Sequence, residues 1–189
     1  MSEALKKEEI LVQLDFTPNP DTLKYSTNQI LIPSGAANFT SAKSAEGKSP
    51  LAEALFKDSL ISAVMIGTNF VTITVQDQST LQDLNERTIG TIREFILSGG
   101  KAVLEQPKVE GAALTEIERK IIEILDRDVR PAVAMDGGDI SFEKFEDGFV
   151  FLKMQGSCSG CPSSLMTLKM GVETRLKDAI PEVIEVIPV

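Results

Sequence analysis

Between Leu97 and Thr115 the chain loses every regular hydrophobic period. Ser98-Gly99-Gly100 stops a helical pattern, and Lys101–Ala113 carries Pro107, Gly111 and mixed charge with no sustained stripe. Residues 99–113 therefore read as a linker, and the 189-residue chain divides into two domains, 1–98 and 114–189. Each has fewer than about a hundred residues and buries only a modest core. Docking, dimerisation or a bound metal would add to the stability of such units.

In the first domain Ile10, Val12, Leu14 and Phe16 recur with the period of two of a half-buried strand. Thr17-Pro18-Asn19-Pro20-Asp21 stops it, because proline removes ladder donors. Thr22–Ser26 and Gln29–Ile32 read as short strands, and Ser34–Lys48 as a loop. Ser49-Pro50 opens a short helix through Phe56, with serine as cap and proline in the first turn. Strands Leu60–Ile66 and Phe70–Val75 precede a helix over Thr80–Leu97 whose stripe is Leu81, Leu84, Ile89, Ile92 and Ile96.

The second domain opens on a capping box, Thr115-Glu-Ile-Glu118, with Ile117, Ile121, Ile124 and Leu125 as the buried face. Pro131 is expected to strain or end that helix, and Asp136-Gly-Gly-Asp139 to turn the chain by local aspartate and glycine chemistry. Ile140–Glu146 and Phe149–Gln155 meet at Asp147-Gly148, a strong hairpin signal. A helix over Ser163–Lys177 presents Leu165, Leu168, Val172 and Leu176, and Val183–Ile187 reads as a last strand. The fold class is α+β: a strand-rich N-terminal domain and a C-terminal α-β-β-α-β domain.

Charge and composition exclude several functions. Lys plus Arg number 19 against 28 Asp plus Glu, a net charge of −9 that phosphate backbones would repel. No basic stripe with interleaved aromatics offsets it, so no nucleic-acid partner is expected. The most apolar stretch, Leu60–Val75, is interrupted at Gly67-Thr-Asn69 and is too short for a bilayer helix, so no membrane partner is expected. The N-terminus lacks the apolar core of a secretory signal and is too acidic for a transit peptide, which reads as a cytoplasmic protein. Histidine is absent altogether, which removes Ser-His-Asp and Cys-His nucleophilic arrangements and histidine-bearing zinc or Rieske ligand sets.

Three motifs have structural explanations. Ala42-Lys-Ser-Ala-Glu-Gly-Lys48-Ser49 has a relaxed phosphate-loop spacing, but Ala36–Ser41 shows no strand pattern to feed it. Asp136 and Asp139 lack the alternating ligands and distal glutamate of a calcium loop. Met154, Met166 and Met170 read as core packing.

Gly156-Ser-Cys158-Ser-Gly-Cys161-Pro162 differs in kind. It joins a strand to a helix start, where unpaired amides and the helix dipole favour thiolates at Cys158 and Cys161. A redox dithiol and a metal half-site both suit that position. A thioredoxin-like oxidoreductase would place a βαβ unit before the last strands, and here a hairpin leads into the motif. A tetrahedral zinc or a cubane cluster wants four soft ligands, whereas this chain has two cysteines. The remaining ligands must come from another molecule, most economically a second copy related by a twofold axis. A structural zinc-bridged dimer stays open beside a shared cluster.

The sequence resembles the Nfu family of iron–sulfur cluster carriers, related to the C-terminal domain of NifU scaffolds. Val129-Arg-Pro131, Met135-Asp-Gly-Gly-Asp-Ile140, Gln155–Ser164 and Ile180-Pro-Glu-Val183 carry the resemblance in the second domain. Phe16–Lys24 and Ser49–Phe56 carry it in the first, which looks like the Nfu N-terminal domain. The resemblance implies that Cys158 and Cys161 bind a [4Fe–4S] cluster bridged across a homodimer. It implies a scaffold or carrier, not a turnover enzyme, that works with upstream cluster assembly proteins and passes the cluster to apo iron–sulfur client proteins. The N-terminal domain would serve client or partner contacts.

Overall fold

The computed structural model describes residues 9–104, 114–159 and 162–189, without the side chains of residues 80–82 and 162–168. The chain is α+β and divides into two compact units, Met1–Pro107 and Lys108–Val189.

The first unit is one antiparallel sheet in the order β1-β2-β5-β4-β3. Its strands are β1 (Val12–Phe16), β2 (Thr22–Thr27), β3 (Ala37–Phe39), β4 (Ile61–Ile66) and β5 (Phe70–Val75). Helix α1 (Ala42–Ala45) is a single turn, α2 (Pro50–Leu55) follows it, and α3 (Leu81–Leu97) is the long helix. Leu84 and Ile92 of α3 are fully buried and share one core with Leu23, Tyr25, Val64 and Ile73 of the sheet. The helical stripe and the strand alternation thus meet as one apolar layer.

Two sequence expectations fail in this unit. Gln29–Ile32 forms no strand, because both edges of β5 are already taken by β2 and β4. The Leu31 amide instead donates to the Thr68 carbonyl at 2.7 Å. Conversely, the stretch read as loop contains β3, paired with β4. Three residues are too short to display a period of two.

That strand does feed the phosphate-loop-like stretch, contrary to expectation, but the loop's groups are already engaged. The Gly47 amide donates to Glu53 Oε1 at 2.7 Å, and the Lys48 and Ser49 amides donate to the Ala45 carbonyl. The fully buried Ser49 hydroxyl accepts from the Ala52 amide at 3.1 Å and donates to the Ala102 carbonyl at 2.6 Å. Ala102, in the segment read as a linker, is itself part of this core. Ser49→Ala removes a helix cap and leaves a buried carbonyl unpaired. It is expected to cost about 2–3 kcal/mol, read as a lowered denaturant midpoint at unchanged slope. A shift below about 0.5 kcal/mol would show that the hydroxyl is replaceable there.

The second unit begins as the capping box requires. The Thr115 side chain accepts from the Glu118 amide at 3.2 Å, and Glu118 Oε2 accepts from the Thr115 amide at 2.7 Å. Helix α4 (Glu116–Ile124) buries Ile121 and Ile124. Pro131 does not end the helical run. The backbone widens into a π-type turn over Leu125–Val129, and α5 (Arg130–Met135) restarts with Pro131 in its first turn, where a missing N–H costs nothing.

β6 (Gly138–Glu146) and β7 (Phe149–Gly156) form the predicted hairpin, with Asp147 at φ 51° and Gly148 at φ 84°. Both central residues in the left-handed region make this the primed turn that matches strand twist. α6 (Pro162–Ala179) then carries the chain to β8 (Glu185–Pro188), which lies parallel to β7, giving the order β6-β7-β8. Val172 and Leu176 of α6 are buried with Ile140, Val150, Leu152 and Val186. Met154 joins that core, but Met170 is 64% exposed. It stands about 200° around the helix from Val172, on the opposite face. The side chains of Leu165, Met166 and Leu168 lie outside the described residues. Among the described residues no helix is long and apolar enough to cross a membrane.

Candidate metal centre

The β7–α6 junction carries Cys158. β7 ends at Gly156, whose φ of 62° turns the chain out of the strand, and the Ser159 amide donates to the Gly156 carbonyl at 3.0 Å. Cys158 follows within that turn, 5% exposed, against the core of the second unit. Cys161, the other sequence-predicted ligand, lies outside the described residues. Helix α6 starts at Pro162, immediately after it, as the sequence requires.

The Cys158 sulfur is seated on Gly138. A Cβ at position 138 would stand 2.2 Å from Cys158 Sγ and 3.2 Å from both its Cβ and its amide nitrogen. Only a residue without a side chain leaves room for that thiol. Gly138 also pairs directly with Gly156 across the hairpin, so both glycines lie at the point where the strands open toward the cysteine loop.

The loop is fastened on the same side. The Ser157 amide donates to the Gly137 carbonyl at 3.1 Å, and the Ser157 hydroxyl donates to the Asp136 carbonyl at 2.5 Å. Gly137, at φ 79°, makes the turn between α5 and β6. Of the two adjacent glycines, one serves the turn and the other serves the sulfur.

Asp139 is not a turn residue, contrary to the sequence reading. It is buried within β6 and receives two hydrogen bonds from Arg130, Nε at 2.8 Å and Nη2 at 2.9 Å. Arg130 Nη1 also reaches Asp126 Oδ1 at 2.8 Å. The hydrogen bonds to Asp139 raise the Arg130 pKa further above its usual range against the opposing effect of burial. The guanidinium is therefore a permanent charge at this site.

α6 is tied to β8 from its other side. Lys169 Nζ lies 2.7 Å from Glu185 Oε1, and Glu173 Oε2 accepts from the Val186 amide at 3.1 Å. The hydrogen bond from Lys177 holds the Glu173 carboxyl below its usual pKa, so Glu173 stays ionised as an acceptor.

Among the described residues no group of three or more cysteine, aspartate or glutamate side chains is placed to hold a metal ion. The donor set visible here is a single soft thiol in a fitted seat, supported by Gly138, Ser157 and the Arg130–Asp139 pair. Sequence reasoning missed those supports. Arg130, Gly138 and Asp139 lie within the stretches that carry the family resemblance, and a further signal was the second glycine in Asp136-Gly-Gly-Asp139, where a turn needs only one.

Comparison with known proteins gives the family resemblance of both units. The profile of the NifU-like domain matches residues 121–187, which contain the whole cysteine loop and its supports. The profile described as scaffold protein Nfu/NifU N terminal matches residues 12–99. The mitochondrial NFU1 iron–sulfur cluster scaffold homologue of Drosophila persimilis is 36% identical over 187 residues, 97% of this chain and 66% of that protein. The human protein of the same name is 37% identical over 179 residues, 92% of this chain and 70% of that protein. The solution NMR structure of a NifU-like protein from Saccharomyces cerevisiae shares 19% identity at a TM-score of 0.46, covering 56% of this chain and 91% of that one. The chain thus spans about two thirds of the length of the curated relatives it matches.

Both relatives are named as mitochondrial, which overturns the expectation of a cytoplasmic protein. The physical reason is that an address segment is read and removed apart from the folded units, whose composition need not record the compartment.

Proposed function

We propose a function from one premise: this chain belongs to the Nfu/NifU family of iron–sulfur cluster scaffolds. Cys158 and Cys161 hold a [4Fe–4S] cluster as cargo, shared with the same two residues of a second copy, and the dimer hands it to apo iron–sulfur proteins. The observation that carries this reading is the seat of Cys158. A thiol held on Gly138 at a strand–helix junction is a soft ligand fixed in advance of its metal. With two cysteines and no histidine in the chain, a four-thiolate site closes by twofold symmetry.

A cluster divided between two chains is held by half its ligands from each. Separation of the copies exposes it, which suits release better than a cluster sealed in one core. The N-terminal unit then serves client or partner contacts, and upstream assembly proteins supply the cargo. No step in this role requires covalent turnover by the chain itself.

Anaerobic reconstitution with iron and sulfide, followed by metal and sulfide counting and sizing, tests the reading. About four irons and four sulfides per dimer are expected, with the dimer appearing on loading. A zinc dimer without sulfide, or a monomer cycling between dithiol and disulfide with no cluster bound, would overturn it.

A further inference from the structure

We propose that Arg130 is a positioning residue for the cysteine loop, acting through Asp139; its bearing on the cluster rests on the function proposed above. The bond from Arg130 to Asp139 spans nine residues and closes the segment between them into a ring. Three groups that seat Cys158 and its loop from this side lie in that ring. The Asp136 and Gly137 carbonyls hold Ser157, and Gly138 meets the sulfur.

The geometry of the clasp is restrictive. A guanidinium that donates through Nε and Nη2 to both oxygens of one carboxylate fixes its orientation as well as its distance. Asp126 holds the third guanidinium nitrogen from the preceding helical turn, so all three nitrogens of the fork are engaged. Asp139 in turn lies between Gly138, against which the Cys158 sulfur rests, and Ile140, which is buried in the core. It also pairs with Gln155, the residue before Gly156. The clasp therefore sits where both strands feed the loop.

Stability alone does not account for such a pair. Asp139 is buried and Arg130 only partly so. Ion pairs taken from water are weak stabilisers, because desolvation cancels much of the attraction, and their best-attested use is to fix one arrangement over its neighbours. Here the arrangement fixed is the place of Gly138 under Cys158.

The test uses the full chain in two forms. In a Cys161→Ser background Cys158 is the only thiol, and its alkylation rate in the cluster-free protein reports how well it is seated. Arg130→Gln is expected to raise that rate about tenfold, the loss of a charge-assisted bidentate bond, and Arg130→Lys to restore part of the protection. With both cysteines present and the cluster loaded, Arg130→Gln is expected to lose iron to a chelator about tenfold faster than the unsubstituted protein.

A rate that stays flat in low urea marks local release of the loop, whereas one that climbs with urea marks global opening. Local release with faster cluster loss supports the proposal. Unchanged alkylation, or a rise that tracks global unfolding alone, overturns it. An unsubstituted protein that takes up no cluster overturns the proposed function, while the alkylation arm still decides whether Arg130 positions Cys158.

Discussion

Cys158→Ser protein, reconstituted beside the unsubstituted chain, is expected to hold essentially no iron or sulfide. The substitution keeps the volume of the side chain and exchanges a soft ligand for a hard, protonated hydroxyl. Symmetry doubles the effect, since one change in the chain removes two of the four ligands in the dimer. The fold should survive. Exchanging a buried thiol for a hydroxyl costs at most about 1–3 kcal/mol, and Cys158 is one of many side chains in the core of the second unit. Far-ultraviolet circular dichroism of the apo protein should be unchanged while the visible absorption of the cluster is lost. Mixed dimers, with one substituted and one intact chain, would retain three thiolates and load to an intermediate, labile level. A full complement of cluster in the homodimeric variant would sink the ligand assignment.

How far this site could be read in the sequence depends on how local each of its causes is. The capping box at Thr115–Glu118 and the turn at Asp147-Gly148 are decided within a few residues, and both form as read. So does the proline-led start of α6, because Pro162 is suited to a first helical turn by its own ring. β3 escaped because three residues cannot express a period, and its pairing with β4 is set by a register outside the segment. The loss of the strand expected at Gln29–Ile32 has the same kind of cause: the neighbouring ladder was full.

The supports of Cys158 were hidden for a related reason. Asp136-Gly-Gly-Asp139 has the composition of a turn, and Gly137 does serve as one. Asp139 and Gly138 have their roles only when α5, β6 and the end of β7 are brought together. The π-type turn over Leu125–Val129 belongs to the same class. It lets α5 restart at Arg130 despite Pro131, and so delivers the guanidinium to Asp139. Pro131 thus accommodates a change of helical register, the strained member of the two outcomes the sequence allowed, strain or an end.

Gly138→Ala is the corresponding prediction from the other side of the seat. The added methyl would stand 2.2 Å from Cys158 Sγ, far inside contact distance, with the Cys158 amide nitrogen at 3.2 Å. Gly138 pairs with Gly156 in the hairpin, so the strand cannot recede without parting the ladder that leads into the loop. The cheaper relief is for Cys158 to leave the seat. Stability is expected to fall by about 1–3 kcal/mol, the range for overpacking. The functional loss should be larger than that figure suggests: cluster uptake close to that of Cys158→Ser, together with a Cys158 that alkylates faster in the apo protein. Gly171→Ala supplies the control. Gly171 lies in α6 with nothing within 4 Å of an added Cβ. Alanine there should stabilise the helix by about 0.5–1 kcal/mol and leave the cluster content alone. If Gly138→Ala loaded normally and kept Cys158 protected, the thiol would not depend on its glycine seat. A geometric fit between residues twenty positions apart in the chain would then have no consequence for the metal.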